Sequence, residues 1–219
     1  MHVADSVPAG PCFDDDFRRQ LELLIRWRRD VRHFRPDPVP LPLIQHMLDL
    51  MAATPSVGFS QPARFVLVES AAARAAVRSN FLASNGKALA AYSGERAELY
   101  ARLKLAGLDE APVHLAVFCD EATPTGHGLG LQTMPEMLRY SVVAAVQTLW
   151  LALRANHLGL GWISILDPAR LTADLNVPAF WAFVAYCCIG YPEREQAEPE
   201  LLRTGWEQRD ATARIVLKR

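Results

Sequence analysis

Residues 137 to 153 restrict the fold more than any other feature: they form a helix-length run, apolar almost all round, carrying Val142, Val143, Val146, Leu149, Trp150 and Leu153. A helix without a polar face belongs at the centre of a fold or in a subunit interface. A chain of 219 residues that is 51% hydrophobic can wrap such a helix in one domain, and it is too apolar to be disordered. With 23 Lys and Arg against 24 Asp and Glu, the net charge of -1 lacks the basic surplus of a nucleic-acid footprint.

Around that helix the chain alternates helical and extended patterns. Residues 13 to 29 place Phe17, Leu21, Leu24 and Ile25 at helical spacing behind Asp14, Asp15 and Asp16, which suit a helix N-terminus. Pro36, Pro38, Pro40 and Pro42 force an extended link, and Leu43, Ile44, Met47, Leu48 and Met51 mark a second helix that stops near Thr54-Pro55. Phe65 to Val68 reads as a strand buried on both faces, 71 to 105 as two alanine-rich helices, and 114 to 119 as another strand. Pro124, Gly126, Gly128 and Gly130 make 121 to 133 a loop able to lie over a pocket. Two more strands, 159 to 166 and 181 to 191, flank a short helix at 168 to 175. The pattern is that of one α+β domain over 17–192, with a flexible start at 1–16 and an extension at 193–219 that packs on a neighbour.

Several chemistries are excluded. The acidic first sixteen residues are no signal peptide, and Asn176, Pro178, Gly190 and Pro192 interrupt the longest uncharged run, so no membrane segment is expected. Cys12, Cys119, Cys187 and Cys188 contain no CxxC and read as reduced thiols of a cytoplasmic protein, with Cys187 and Cys188 packing on opposite faces of a strand. The histidines lack metal-ligand spacing, so no metal is expected. Gly126-His127-Gly128-Leu129-Gly130 does not match GxGxxG, and no GxSxG elbow exists.

Three segments could carry chemistry. Arg28, Arg29, Arg32 and Arg35 lie within eight residues around Asp30; such a cluster either grips an anion through planar guanidinium forks or complements a helix C-terminus in water, and composition alone weighs the two evenly. The Pro55 to Pro62 turn, PSVGFSQP, exposes backbone N–H groups and Ser56, although an ordinary loop would look the same. In Gly159 to Ile165, GLGWISI, glycines allow close backbone approach and Ser164 offers a hydroxyl; structural hydrogen bonding is the plainer reading.

The order of these pieces is more informative than any one. RRDVR after the first helix, PSVGFSQP after the second, YARLKLAG at 100 to 107, the central helix, GLGWISI and a final GWEQR together resemble the nitroreductase-like flavoproteins from about Phe17 to Arg209. Asp30 and Phe59 stand where most members have serine and asparagine; with the LKL segment and Ser164, these departures resemble the branch that fragments its own flavin. Ala63 and Glu207 depart in turn from that branch's usual tryptophan and basic residue.

The resemblance implies an intertwined homodimer with a central, mainly antiparallel mixed sheet flanked by helices and an FMN site built from both chains. It further implies that Arg28, Arg32 and Arg209 hold the FMN phosphate, Arg29 sits by the ring edge, Val31 lies in the same pentad, and Ser56 of the other chain and Leu105 approach the flavin. Asp30 near the ribityl chain and Ser164 near the flavin ring are the implied catalytic residues. The implied reaction consumes dioxygen and reduced FMN from a separate NAD(P)H-dependent reductase, giving 5,6-dimethylbenzimidazole, the lower ligand of cobalamin, and erythrose 4-phosphate. Two other readings remain: an NAD(P)H-dependent nitroreductase or flavin reductase that recycles its FMN, and a non-catalytic flavin-binding protein.

Overall fold

The computed structural model describes residues 10–210 and 212–219, so most of the expected flexible start lies outside the described residues. Helix α1 (Asp15–Trp27) begins where Asp14 accepts the Phe17 N–H at 2.8 Å, with Asp15 and Asp16 in its first turn. Pro42 stands in the first turn of α2 (Leu41–Ala52), which buries Ile44, Met47 and Met51. A one-turn 3-10 segment, Val57–Phe59, leads to β1 (Ala63–Leu67). Then follow α3 (Ala71–Leu89), α4 (Gly94–Arg102), β2 (Val113–Asp120) and α5 (Met137–Ala155). The chain ends with β3 (Gly159–Ile163), α6 (Pro168–Asp174), β4 (Trp181–Gly190) and the single turn α7 (Glu200–Arg203).

The four strands form one sheet in the order β1-β2-β4-β3, each pair antiparallel. Side chains alternate across β2 and β4: Leu115, Val117 and Cys187 join the layer of α2 and α5, while Ala116, Phe118, Tyr186 and Cys188 join the layer containing Val77 of α3 and Leu171 of α6. Cys187 and Cys188 therefore face opposite layers, as their adjacency in a strand requires. Helix α5 covers the first layer with Leu138, Val142, Ala145, Val146, Leu149 and Leu153.

One expectation changes. β1 is an edge strand and half-buried throughout, not buried on both faces, because among the described residues only β2 pairs with it. In α1 no residue is buried, and Phe17, Leu21 and Ile25 remain exposed. In α5, Val143 is exposed beside Tyr140, so the helix buries one side and offers an apolar stripe on the other. Among the described residues no helix is long and apolar enough to cross a membrane, and no three His, Cys, Asp or Glu side chains cluster as a metal site.

Candidate active site

After Arg28 ends α1, the RRDVR pentad leaves the helix and runs along the open edge of β3. The strand's glycines make this approach possible. A Cβ at Gly161 would stand 2.2 Å from the Val31 carbonyl oxygen, and one at Gly159 would stand 2.6 Å from the Val31 side chain. Val31 donates its N–H to the Leu160 carbonyl at 3.0 Å, and Asp30 bridges Leu160 in parallel, adding a parallel contact to an otherwise antiparallel sheet.

Asp30 uses both carboxylate oxygens. Oδ1 accepts the Trp162 main-chain N–H at 2.9 Å, and Oδ2 accepts Arg32 Nε at 2.9 Å. Burial pushes the Asp30 carboxyl above its ordinary value, against the opposing pull of Arg32, the Trp162 N–H and Arg28. A carboxyl with a raised pKa in a cleft is a candidate proton acceptor.

The arginines divide into two groups. Arg28 lies over the Trp150 ring, 4.4 Å from its centroid, and the Trp150 indole donates to the Arg29 carbonyl at 3.1 Å. Arg29 turns back onto the carbonyls of Arg26 and Arg28 and onto that of Ala197, leaving its Nε buried without a partner. Burial and the nearby charges of Arg28, Arg209 and Arg154 depress its pKa. Arg32 stands apart, joining Asp30 to the Lys104 carbonyl, which it reaches from a terminal nitrogen at 3.1 Å. The LKL segment carrying Leu105 is thus tied to the pentad. A cavity of about 220 Å³ opens beside these groups, lined by Arg29, Asp30, Trp150, Arg154, Gly159 and Glu195 among others. Arg154 pairs with Glu195 at 2.9 Å.

The chain therefore brings Arg28, Arg29, Asp30, Val31 and Arg32 together, with Leu105 attached through Lys104 and the exposed Arg209 near enough for its charge to act on Arg29. Ser164 is exposed, immediately after β3 on the strand that carries Trp162. Ser56 lies apart on the 3-10 turn, where its Oγ accepts the Gln61 N–H at 3.0 Å and the next residue's N–H is held by Ser141 of α5. Arg154 and Trp150 escape sequence reasoning as site residues. Their i, i+4 spacing on α5 places them on one helix face, but what they face becomes visible only when α1 docks there.

The sequence matches the nitroreductase family over residues 25–191, and the chain belongs to that family. The 5,6-dimethylbenzimidazole synthase of Rhodospirillum rubrum is 56% identical over 91% of this chain and 95% of that protein, and the one from Rhodobacter capsulatus is 48% identical over 90% and 95%. The fold also superposes on oxidized iodotyrosine deiodinase bound to FMN and 3-iodo-L-tyrosine, with TM-score 0.71, 24% identity, and coverage of 90% of this chain and 100% of that one.

Proposed function

We propose that this chain is a 5,6-dimethylbenzimidazole synthase acting on bound reduced FMN. The observation that carries the reading is Asp30, a half-buried carboxylate fixed on the open edge of β3 beside a cavity lined by arginines and glutamates. It supports the reading together with the identity shared with the two synthases.

The donor set fits a phosphorylated flavin. Arg29 and Arg154, the latter paired with Glu195, line the cavity, Arg28 and Arg209 add their charge at Arg29, and the Arg29 Nε, without a partner among the described residues, is a buried donor that an anion can satisfy. Arg28 and Arg209 hold the phosphate, Arg29 stands by the ring edge, and Leu105, Ser164 and Ser56 of a second copy border the flavin. When bound, reduced FMN would supply the electrons that dioxygen accepts and would divide into 5,6-dimethylbenzimidazole, erythrose 4-phosphate and the remaining pyrimidine ring. Asp30 accepts the proton of a ribityl hydroxyl on a carboxylate oxygen, allowing the neighbouring carbon–carbon bond to break. Ser164 orients the flavin, and a second copy packed over the open side of the cavity keeps water out.

The exposed apolar stripe of α5, the exposed face of α1 and the exposed Ile215-Val216-Leu217 tail support a homodimer with a shared site. A separate NAD(P)H-dependent reductase supplies FMNH2, and the protein works in the cytoplasm. Incubating protein, FMN and an external reductant in air, with mass spectrometry of the products, tests the reading. The benzimidazole is expected; intact FMN without it overturns the assignment.

A further inference from the structure

We infer that Arg32 is a positioning residue, which fixes the Asp30 carboxylate and the Leu103 to Gly107 segment as one unit rather than gripping the cofactor's phosphate. This rests on the proposed role of Asp30.

The geometry is specific. Arg32 is largely buried, with 13% of its side chain exposed, and spends Nε on Asp30 Oδ2 at 2.9 Å and a terminal nitrogen on the Lys104 carbonyl at 3.1 Å. A planar fork can serve both acceptors at once, whereas a single ammonium is a point charge. The main chain adds a second tie: a Cβ on Gly107 would stand 3.2 Å from the Arg32 carbonyl oxygen and 2.4 Å from the Phe34 ring. The segment is therefore seated against the pentad at Lys104 and at Gly107. Lys104 is itself paired with Glu110.

The electrostatic consequence follows from the groups around Asp30. Arg32 and Arg28 on its own segment favour its ionised form, while Cys187 and Cys188 of β4 interact with it from the sheet. Burial opposes ionisation, and Arg32 is the largest influence holding the carboxylate ready to accept a proton. A displaced Arg32 raises the Asp30 pKa further and leaves the 103–107 segment unanchored together.

The test uses the full-length protein and the variants Arg32→Met and Arg32→Lys, with Arg209→Ala for comparison. Titration of the carboxyl signal in protein carrying 13C-labelled aspartate, assigned with Asp30→Asn, is expected to move to higher pH in Arg32→Met and to return toward wild type in Arg32→Lys. Hydrogen exchange at 103–107 should quicken in both Arg32 variants, because neither provides the fork. The preference for FMN over riboflavin should survive in Arg32→Met and fall about tenfold in Arg209→Ala, the loss of one charge-assisted contact. Benzimidazole formation by Arg32→Met should drop at least roughly tenfold at the acid end of the pH profile and much less at the alkaline end. An unmoved Asp30 titration, or a selective loss of FMN over riboflavin in Arg32→Met, overturns the assignment. Because titration, exchange and binding need no turnover, a wild type that makes no benzimidazole would count against the proposed function and leave Arg32 still testable.

Discussion

Trp162 donates its main-chain N–H to Asp30 Oδ1 at 2.9 Å, so the side chain proposed as proton acceptor also closes an open hydrogen-bonding position on the edge of β3. The two duties can be separated by substitution. Asparagine keeps an acceptor oxygen at the right reach and loses the basic carboxylate; serine is too short to keep either.

Asp30→Asn is therefore expected to bind FMN with nearly wild-type affinity while benzimidazole formation falls roughly 100-fold or more, the usual loss for a general base. Flavin fluorescence quenching and single-turnover product analysis measure the two. Its stability should also diverge from wild type with pH. The folded-state pKa of Asp30 is raised, so the folded protein binds more protons and loses stability as pH climbs from the ordinary carboxylate range through that raised value. The uncharged variant lacks this loss, and urea unfolding across that window should show the difference shifting in its favour. A normal product yield from Asp30→Asn would remove the carboxylate from the chemistry.

The buried His114 gives a second, opposite pH dependence. It is 2% exposed, and its Nδ1 lies 2.9 Å from the Tyr186 hydroxyl. Burial, then the charge of Arg74, lowers its pKa from 6.5 to about 4. The folded state thus binds fewer protons than the unfolded one, and stability falls as pH drops from 6.5 toward 4, by roughly 3 kcal/mol from this residue. His114→Gln should flatten that part of the stability profile. Equal slopes in both proteins would show that His114 is not the titrating group.

These two residues also mark the limit of what the chain discloses before folding. Helices α2 and α5 are readable because Ile44, Met47 and Met51, or Val142, Val146, Leu149 and Leu153, repeat at helical spacing, which local sequence contains in full. That β1 lies at the edge is not readable, since Phe65 to Leu67 are equally apolar in an edge or a central strand. The arginine cluster illustrates the same boundary. Arg28 and Arg29 are visible as a local charge run, but Arg154 joins them from the far end of α5, and Trp150, which the sequence places in the core helix, carries Arg28 on its ring. The family resemblance implies Arg32 as a further phosphate ligand; only the fold reveals that Asp30 and Lys104 occupy it.

Gly161 should be intolerant of the smallest enlargement. A methyl group there would press to 2.2 Å from the Val31 carbonyl oxygen, which is main chain and cannot swing aside. The pentad would have to retreat, stretching the Val31–Leu160 and Asp30–Trp162 hydrogen bonds. Gly161→Ala is expected to lose about 2–3 kcal/mol, as for other overpacked sites, and to weaken FMN binding at the same time. Retention of both stability and affinity would mean the pentad does not rest on β3.

Phe59 occupies the PSVGFSQP turn in a left-handed conformation, φ 57°, between Gly58 at φ 54° and Gln61 at φ 45°, with 75% of its surface exposed. A bulky residue is costly in this region of backbone space, whereas asparagine tolerates it through local hydrogen bonding. Phe59→Asn should therefore raise stability by about 1 kcal/mol, because it relieves strain and removes an apolar ring from water. The proposed shared site gives that ring a purpose: the same turn carries Ser56, assigned to the flavin of a second copy. The substitution should then weaken dimerisation or raise the yield of intact oxidised FMN even as the thermal midpoint rises. Analytical ultracentrifugation, a melting curve and the ratio of benzimidazole to FMN consumed measure the trade. A stabilised variant unchanged in both assembly and product ratio would show that the strained ring serves neither.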